Sequence, residues 1–288
     1  MGRHETRRRP RRGRLRFACT VAGLVLLAAP AFADRDCTPG PGDAAVVPAS
    51  VSDDLDVTLD DGRVLRPAGI DPARATAARP DGASLARHAL ESWLGAGPVL
   101  ARLLAPAPDR WGRVPALLLR TGGSAAAALV GAGVARARPE VAIGACWPAL
   151  LAAEGEARGA RRGVWGDPAY AVLAPGDADG LAAQAGGMAL VEGILHVHAS
   201  RGALYLALGR DRWGFAAVVS RRDAARFAKS GLDLADYEGT PVRLRGELDR
   251  RFGPRLRVTE PEAFESLEPG SVVEPADAKH WTARARPR

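Results

Sequence analysis

Asp61-Gly62 stands between two apolar runs, residues 51–59 (VSDDLDVTL) and residues 64–70 (VLRPAGI). An Asp-Gly pair accepts the positive backbone angles of a tight hairpin, and few other pairs do. The two runs are therefore expected to fold back on each other, which commits this part of the chain to antiparallel sheet. A second turn follows the same logic: residues 99–104 and 114–119 read as strands around Pro108-Asp109-Arg110-Trp111-Gly112-Arg113. The helical signals lie between and after these strands. Residues 84–94 place Leu85, Leu90 and Trp93 on one face. Residues 124–135 are Ala-rich, with Ser124 as the N-cap. Residues 148–162 form the next helix, ending at Gly163, with Glu154 and Arg158 as a surface i,i+4 pair. Residues 71–82 read as loop.

Residues 175–187 (PGDADGLAAQAGG) have the composition of a linker. Period-2 stretches then recur at residues 189–198, 204–208, 215–219, 242–248 and 255–258, with a short helix at 221–229 between the third and fourth. Five short strands with one inserted helix predict a small barrel of the OB type. The expected fold class is α+β, mainly β: a barrel with helices over residues 51–174, the linker, then a second small barrel over residues 188–269. Residues 34–50 read as a leader segment and 270–288 as a flexible polar tail.

The formal charge of +7 arises entirely in the first 33 residues, which carry eight arginines against one glutamate. The remainder is balanced, which excludes a globally cationic nucleic-acid coat for that part and leaves a local basic groove open. Residues 1–16 form a cationic region, residues 17–30 an apolar one, and Ala31-Phe32-Ala33 a small-x-small site. That order predicts a signal peptide ending at Ala33 and an exported protein, periplasmic or secreted. No later stretch is long and apolar enough to span a bilayer. Cys19 leaves with the signal. Cys37 and Cys146 remain, and in an oxidising compartment they are expected to pair.

Residues 59–71 (LDDGRVLRPAGID), 109–113 (DRWGR), 128–137 (ALVGAGVARA) and 150–165 (LLAAEGEARGARRGVW), in this order and spacing, resemble the staphylococcal nuclease-like, or thermonuclease-like, family over residues 51–165. The resemblance implies a five-stranded OB-like barrel with three helices. It also implies hydrolysis of a phosphodiester in DNA or RNA by one Ca²⁺, two arginines and a glutamate that acts on water. A hard cation needs oxygen ligands, and guanidinium forks match phosphate oxygens. Arg66 and Arg113 fall on the two catalytic arginines, and Asp71 falls on one metal-binding aspartate, although Asp71 reads equally as a turn residue before Pro72. The second metal aspartate lands on Leu55, with Asp53, Asp54 and Asp56 around it, and Asp53 is the substitute ligand named here. The glutamate lands on Arg74, which reverses the charge at that place. Leu55 and Arg74 are thus lost positions. A one-residue slip would turn a neighbouring aspartate to the wrong strand face unless a bulge re-aimed it. The expectation is a degenerate nuclease, a pseudoenzyme that needs no cofactor and binds single-stranded nucleic acid, a phosphate-bearing ligand or an envelope protein. The alternatives are an active Ca²⁺-dependent nuclease and a structural envelope module.

Trp111, Trp147 and Trp165 read as packing residues. His196 and His198 share one strand face as exposed polar residues with no third ligand in view. Residues 202–219 and 242–258 resemble the OB-like domain that follows some bacterial thermonuclease-like domains. On it, Tyr205, Trp213, Phe215, Arg243 and Arg245 are candidates for a strand-binding face, with barrel packing as the plainer role of Tyr205 and Phe215.

Overall fold

The computed structural model of the protein describes residues 1–2, 37–200, 203–209, 215–249 and 254–271. The expected signal peptide, Trp213 and nearly all of the expected tail lie outside these residues. Strands β1 (Ala44–Val46) and β2 (Pro48–Val51) are separated only by Val47. They are followed by β3 (Val57–Leu59), β4 (Val64–Pro67), β5 (Ile70–Pro72), helix α1 (Gly82–Gly95), β6 (Val99–Leu103), β7 (Arg113–Arg120), β8 (Gly123–Ser124), helix α2 (Ala125–Gly131), β9 (Ala135–Ala137) and helix α3 (Trp147–Gly159).

The hairpin forms as expected: Gly62 takes φ +84°, and the Leu59 N–H donates to the Arg63 carbonyl at 2.8 Å. The sheet order is β1-β6-β7-β4-β3-β2, with β8 beside β7. β4 and β7 run parallel. Because β1 and β2 are neighbours in the chain, the two ends of the sheet meet at Val47, and the sheet curls. Its concave side is filled by Leu65, Leu90, Leu118, Leu129 and Leu150, each 2% exposed or less.

Three expectations for this half need correction. The segment called a leader supplies β1 and β2. Residues 51–59 are not one strand: Leu55 N–H donates to the Ser52 carbonyl, and Leu55 takes φ +64° so that its side chain enters the core. The helix at 124–135 keeps its Ser124 cap, whose Oγ accepts from Ala127 N–H at 3.1 Å, but stops at Gly131. Gly133 then reverses the chain at φ +71°, and β9 returns to pair with β5.

The expected linker contains helix α4 (Ala178–Gln184), capped by Asp177 and anchored by buried Leu181. Then come β10 (Met188–Ser200), β11 (Ala203–Leu208), β12 (Ala216–Ser220), helix α5 (Arg221–Ser230), β13 (Pro241–Asp249), β14 (Arg255–Arg257) and β15 (Phe264–Ser266). β10 pairs with both β11 and β13, and β11–β12, β12–β14 and β14–β13 complete a ring, with β12–β14 its parallel contact. Val191, Leu195, Leu206, Phe215, Leu244 and Leu256 form a second, separate core. The described residues form a mixed α and β structure of two larger sheets and the separate two-stranded β5–β9 pair. Among the described residues no helix is long and apolar enough to cross a membrane.

Cys37 and Cys146 form a disulfide with Cα atoms 5.0 Å apart, tying the chain before β1 to the start of α3. The sheets are joined by charge rather than by apolar packing alone. Glu154, expected on the surface, is fully buried. It accepts from the Ala137 N–H and from Arg245 Nη1, both at 2.8 Å. Arg158 is 3.6 Å away. Arg245 reaches on to Glu265 at 2.8 Å, and Arg243 bridges Glu192 and Glu265.

Candidate functional site

The parallel register of β4 and β7 places Val64 opposite Arg113 and Arg66 opposite Pro115, so the two arginines rise from neighbouring strands. Their guanidiniums are already engaged. Arg113 donates through Nε and Nη2 to Asp109 Oδ2 at 3.1 and 3.0 Å and through Nη1 to Asp56 Oδ2 at 3.4 Å. Asp109 Oδ1 accepts from the backbone of Trp111 and Arg113, so one aspartate builds the turn and holds the guanidinium. Arg66 lies 3.6 Å from Glu140. Phosphate oxygens would have to displace these carboxylates to reach either fork.

The carboxylates differ in state. Desolvation raises the Asp109 pKa, but hydrogen bonds from the Arg113 backbone and side chain outweigh it and hold the group below its ordinary range. Burial pushes Asp56 up, and the Arg113 cation offsets this only in part. Asp56 Oδ1 is buried with no hydrogen-bond partner. Trp111 corrects its expectation: it is 61% exposed, with the Arg110 and Arg113 guanidiniums 3.8 and 4.7 Å from its ring centre. Trp147 and Trp165 pack against the first core as expected.

Asp71 is drawn away from these residues. The β5–β9 register sets it opposite Arg136. Its Oδ2 accepts from Arg136 Nη2 at 2.8 Å, and its Oδ1 accepts from Arg74 Nη2 at 3.1 Å. Arg136 also donates to the Met188 carbonyl at 2.6 Å, which fixes the trio against the second sheet. Asp53 does not join them: it is 80% exposed and bound to Arg87 of α1 at 3.0 Å. The donor set does not suit Ca²⁺. The cation takes six to eight oxygens. Here Leu55 offers none, both Asp71 oxygens are held by guanidiniums, and Arg74 adds charge of the wrong sign. Among the described residues no group of three or more His, Cys, Asp or Glu is placed to hold a metal ion.

The candidate face of the second sheet is also corrected. Arg243 is 7% exposed and consumed by Glu192 and Glu265 within the second sheet, Arg245 is fully buried and consumed by Glu154 and Glu265, and Phe215 is core. Tyr205 is half-buried. His196 Nδ1 lies 2.8 Å from Glu238 Oε1. Glu238 is held below its ordinary range first by the Val197 N–H and then by His196. Arg136, Glu140 and Glu265 carry much of this chemistry and were not foreseen. Arg136 sits in an Ala-rich stretch that reads as helix, and no local signal marks its partner. No protein-family model matches the chain, and no curated protein matches it.

Proposed function

We propose that this chain is an exported, non-hydrolytic module of the thermonuclease-like type, built of two OB-like barrels, which binds single-stranded nucleic acid without cutting it. The wiring supports the barrel reading. In the second half β10 touches β11 and β13, β12 and β14 run parallel, and α5 joins β12 to β13; in the first, β1 and β2 taken together touch β6 and β3, β4 and β7 run parallel, and α1 lies between β4 and β6 in the chain. The leading residues 1–33 and the Cys37–Cys146 disulfide support export.

The observation that carries the loss of hydrolysis is Asp71 held between Arg136 and Arg74. A ligand position neutralised by two cations, one of them Arg74 standing where the glutamate is expected, leaves no metal ligand and no carboxylate base at those two positions to activate water. The observation that favours binding is Trp111, an exposed ring flanked by guanidiniums on the same turn as Arg113. Such a ring can stack on a base while Arg110, which has no carboxylate partner among the described residues, meets the backbone.

The test pairs cleavage with binding. Labelled single-stranded DNA and RNA incubated with Ca²⁺ should show no cleavage above an Arg113→Ala control or a chelator blank. Binding should fall steeply as salt rises and weaken about tenfold in Trp111→Ala. Ca²⁺-dependent cleavage lost in the Arg113→Ala protein would reverse the proposal. Absent or salt-insensitive binding would favour the structural envelope module, in which the carboxylates on Arg66 and Arg113 are simply internal salt bridges.

A further inference from the structure

The β5–β9 pair with its flanking turns and the second sheet line a half-open cleft of about 270 Å³, well separated in the chain from the Trp111 turn. Its charged lining is Asp71, Arg74, Arg138, Arg245, Glu247 and Arg257. Two of these are neutralised from within: Asp71 by Arg136, and Arg245 by Glu154 and Glu265. Three arginines then face one acid. Arg74 commits only Nη2 to Asp71, and its side chain is 62% exposed. Arg138, just after β9, and Arg257, on β14, are exposed and have no carboxylate partner among the described residues. Glu247 stands opposite Arg257 in the β13–β14 register and tempers the charge without cancelling it.

Three exposed cations around one cleft, with a single acid beside them, raise the local positive potential and draw an external anion to it. Guanidinium forks around one cleft, two from the turns after β5 and β9 and one from β14, suit a tetrahedral oxyanion. The volume is on the scale of one phosphate with a sugar-sized body. We propose that this cleft binds a small phosphate monoester, with Arg74, Arg138 and Arg257 as its phosphate contacts. The cleft contains none of Arg66, Arg113 or Trp111, so this site stands or falls apart from nucleic-acid binding.

Calorimetric titration of the chain with ribose 5-phosphate tests it, with ribose as the matched neutral probe and Arg138→Ser/Arg257→Ser as the variant. Both replaced side chains are exposed, and an unchanged melting temperature would show the fold intact. Saturable binding of ribose 5-phosphate, absent for ribose and weakened at least about tenfold in the variant, is the expected result. No saturable binding up to millimolar ligand, equal binding of ribose, or undiminished affinity in the folded variant would each overturn the proposal. Retained single-stranded DNA binding in the same variant would show that the two sites are independent.

Discussion

Replacing Glu154 with glutamine removes one charge from the junction of the two sheets and leaves its shape nearly unchanged. In the parent, Arg158, Arg243 and Arg245 are matched by Glu154, Glu192 and Glu265. In the variant, three cations face two carboxylates. Arg245 cannot turn to water, because its side chain is 0% exposed. Arg158 suffers as well: burial, then repulsion from Arg243, already holds it below the usual arginine range, and Glu154 opposes that shift. Breaking a buried pair from one side costs about 3–5 kcal/mol. Arg245 keeps Glu265 at 2.8 Å, and a glutamine oxygen can still accept from Ala137 N–H, which places Glu154→Gln near the lower end, about 3 kcal/mol. Glu154→Ala also orphans the Ala137 N–H and should lose about 1–2 kcal/mol more. For a chain of this size each kcal/mol moves the melting temperature by about 2–4 °C, so Glu154→Gln should melt about 6–12 °C lower. Denaturant unfolding followed by tryptophan fluorescence would measure it. The paired change Glu154→Leu/Arg245→Met should recover part of the loss, since the fully buried Arg245 cation leaves with its partner, while Arg158 and the Ala137 N–H still lose Glu154. A Glu154→Gln protein within about 0.5 kcal/mol of the parent would refute this account of the junction.

Reducing the Cys37–Cys146 disulfide, which spans 109 residues, should cost about 2–5 kcal/mol, read as a lower melting temperature in dithiothreitol that Cys37→Ser/Cys146→Ser reproduces without reductant. Asp56 has a folded pKa raised by burial, so its protonated form stabilises the fold; that contribution is complete below about pH 4 and is lost as pH rises through the folded value. Asp56→Asn should therefore match or exceed the parent melting temperature at pH 7, with the difference closing towards pH 3, and a large loss at pH 7 would mean that the Arg113 pair outweighs burial. At Gly163, φ is +52° and a Cβ would meet the Gly133 carbonyl oxygen at 2.0 Å. Gly163→Ala should cost about 3 kcal/mol or more, and a melting temperature within 2 °C of the parent, by differential scanning calorimetry, would contradict that geometry.

Much of the second sheet was readable as written, because strand alternation is a local signal. The windows 189–198, 204–208, 215–219, 242–248 and 255–258 coincide with β10 to β14 within a few residues, and α5 falls where the helix was expected. The Asp61-Gly62 turn and the Ser124 cap were legible for the same reason: each acts within four residues. The site was less so. Arg66, Arg113 and Asp109 share short motifs and could be named. Their neutralisation could not, because Asp56 lies 57 residues from Arg113. Leu55 looked like a ligand lost from a strand, yet it is a core residue reached by a left-handed turn. Trp111 looked like packing because composition does not say which way a turn points.

The sequence alone determined the Asp61-Gly62 hairpin turn, the Ser124 cap, the run of strands and helix from β10 to β14, the charge of the leading segment, and the two cysteines available to pair. Periodicity, turn chemistry and composition operate over a few residues, so they survive without a fold. Only the tertiary structure decided what the charges do. Asp71 meets Arg136 across 65 residues, and Arg245 meets Glu154 across 91. An ion pair is set by distance and desolvation, and neither exists until the elements that carry the partners pack together.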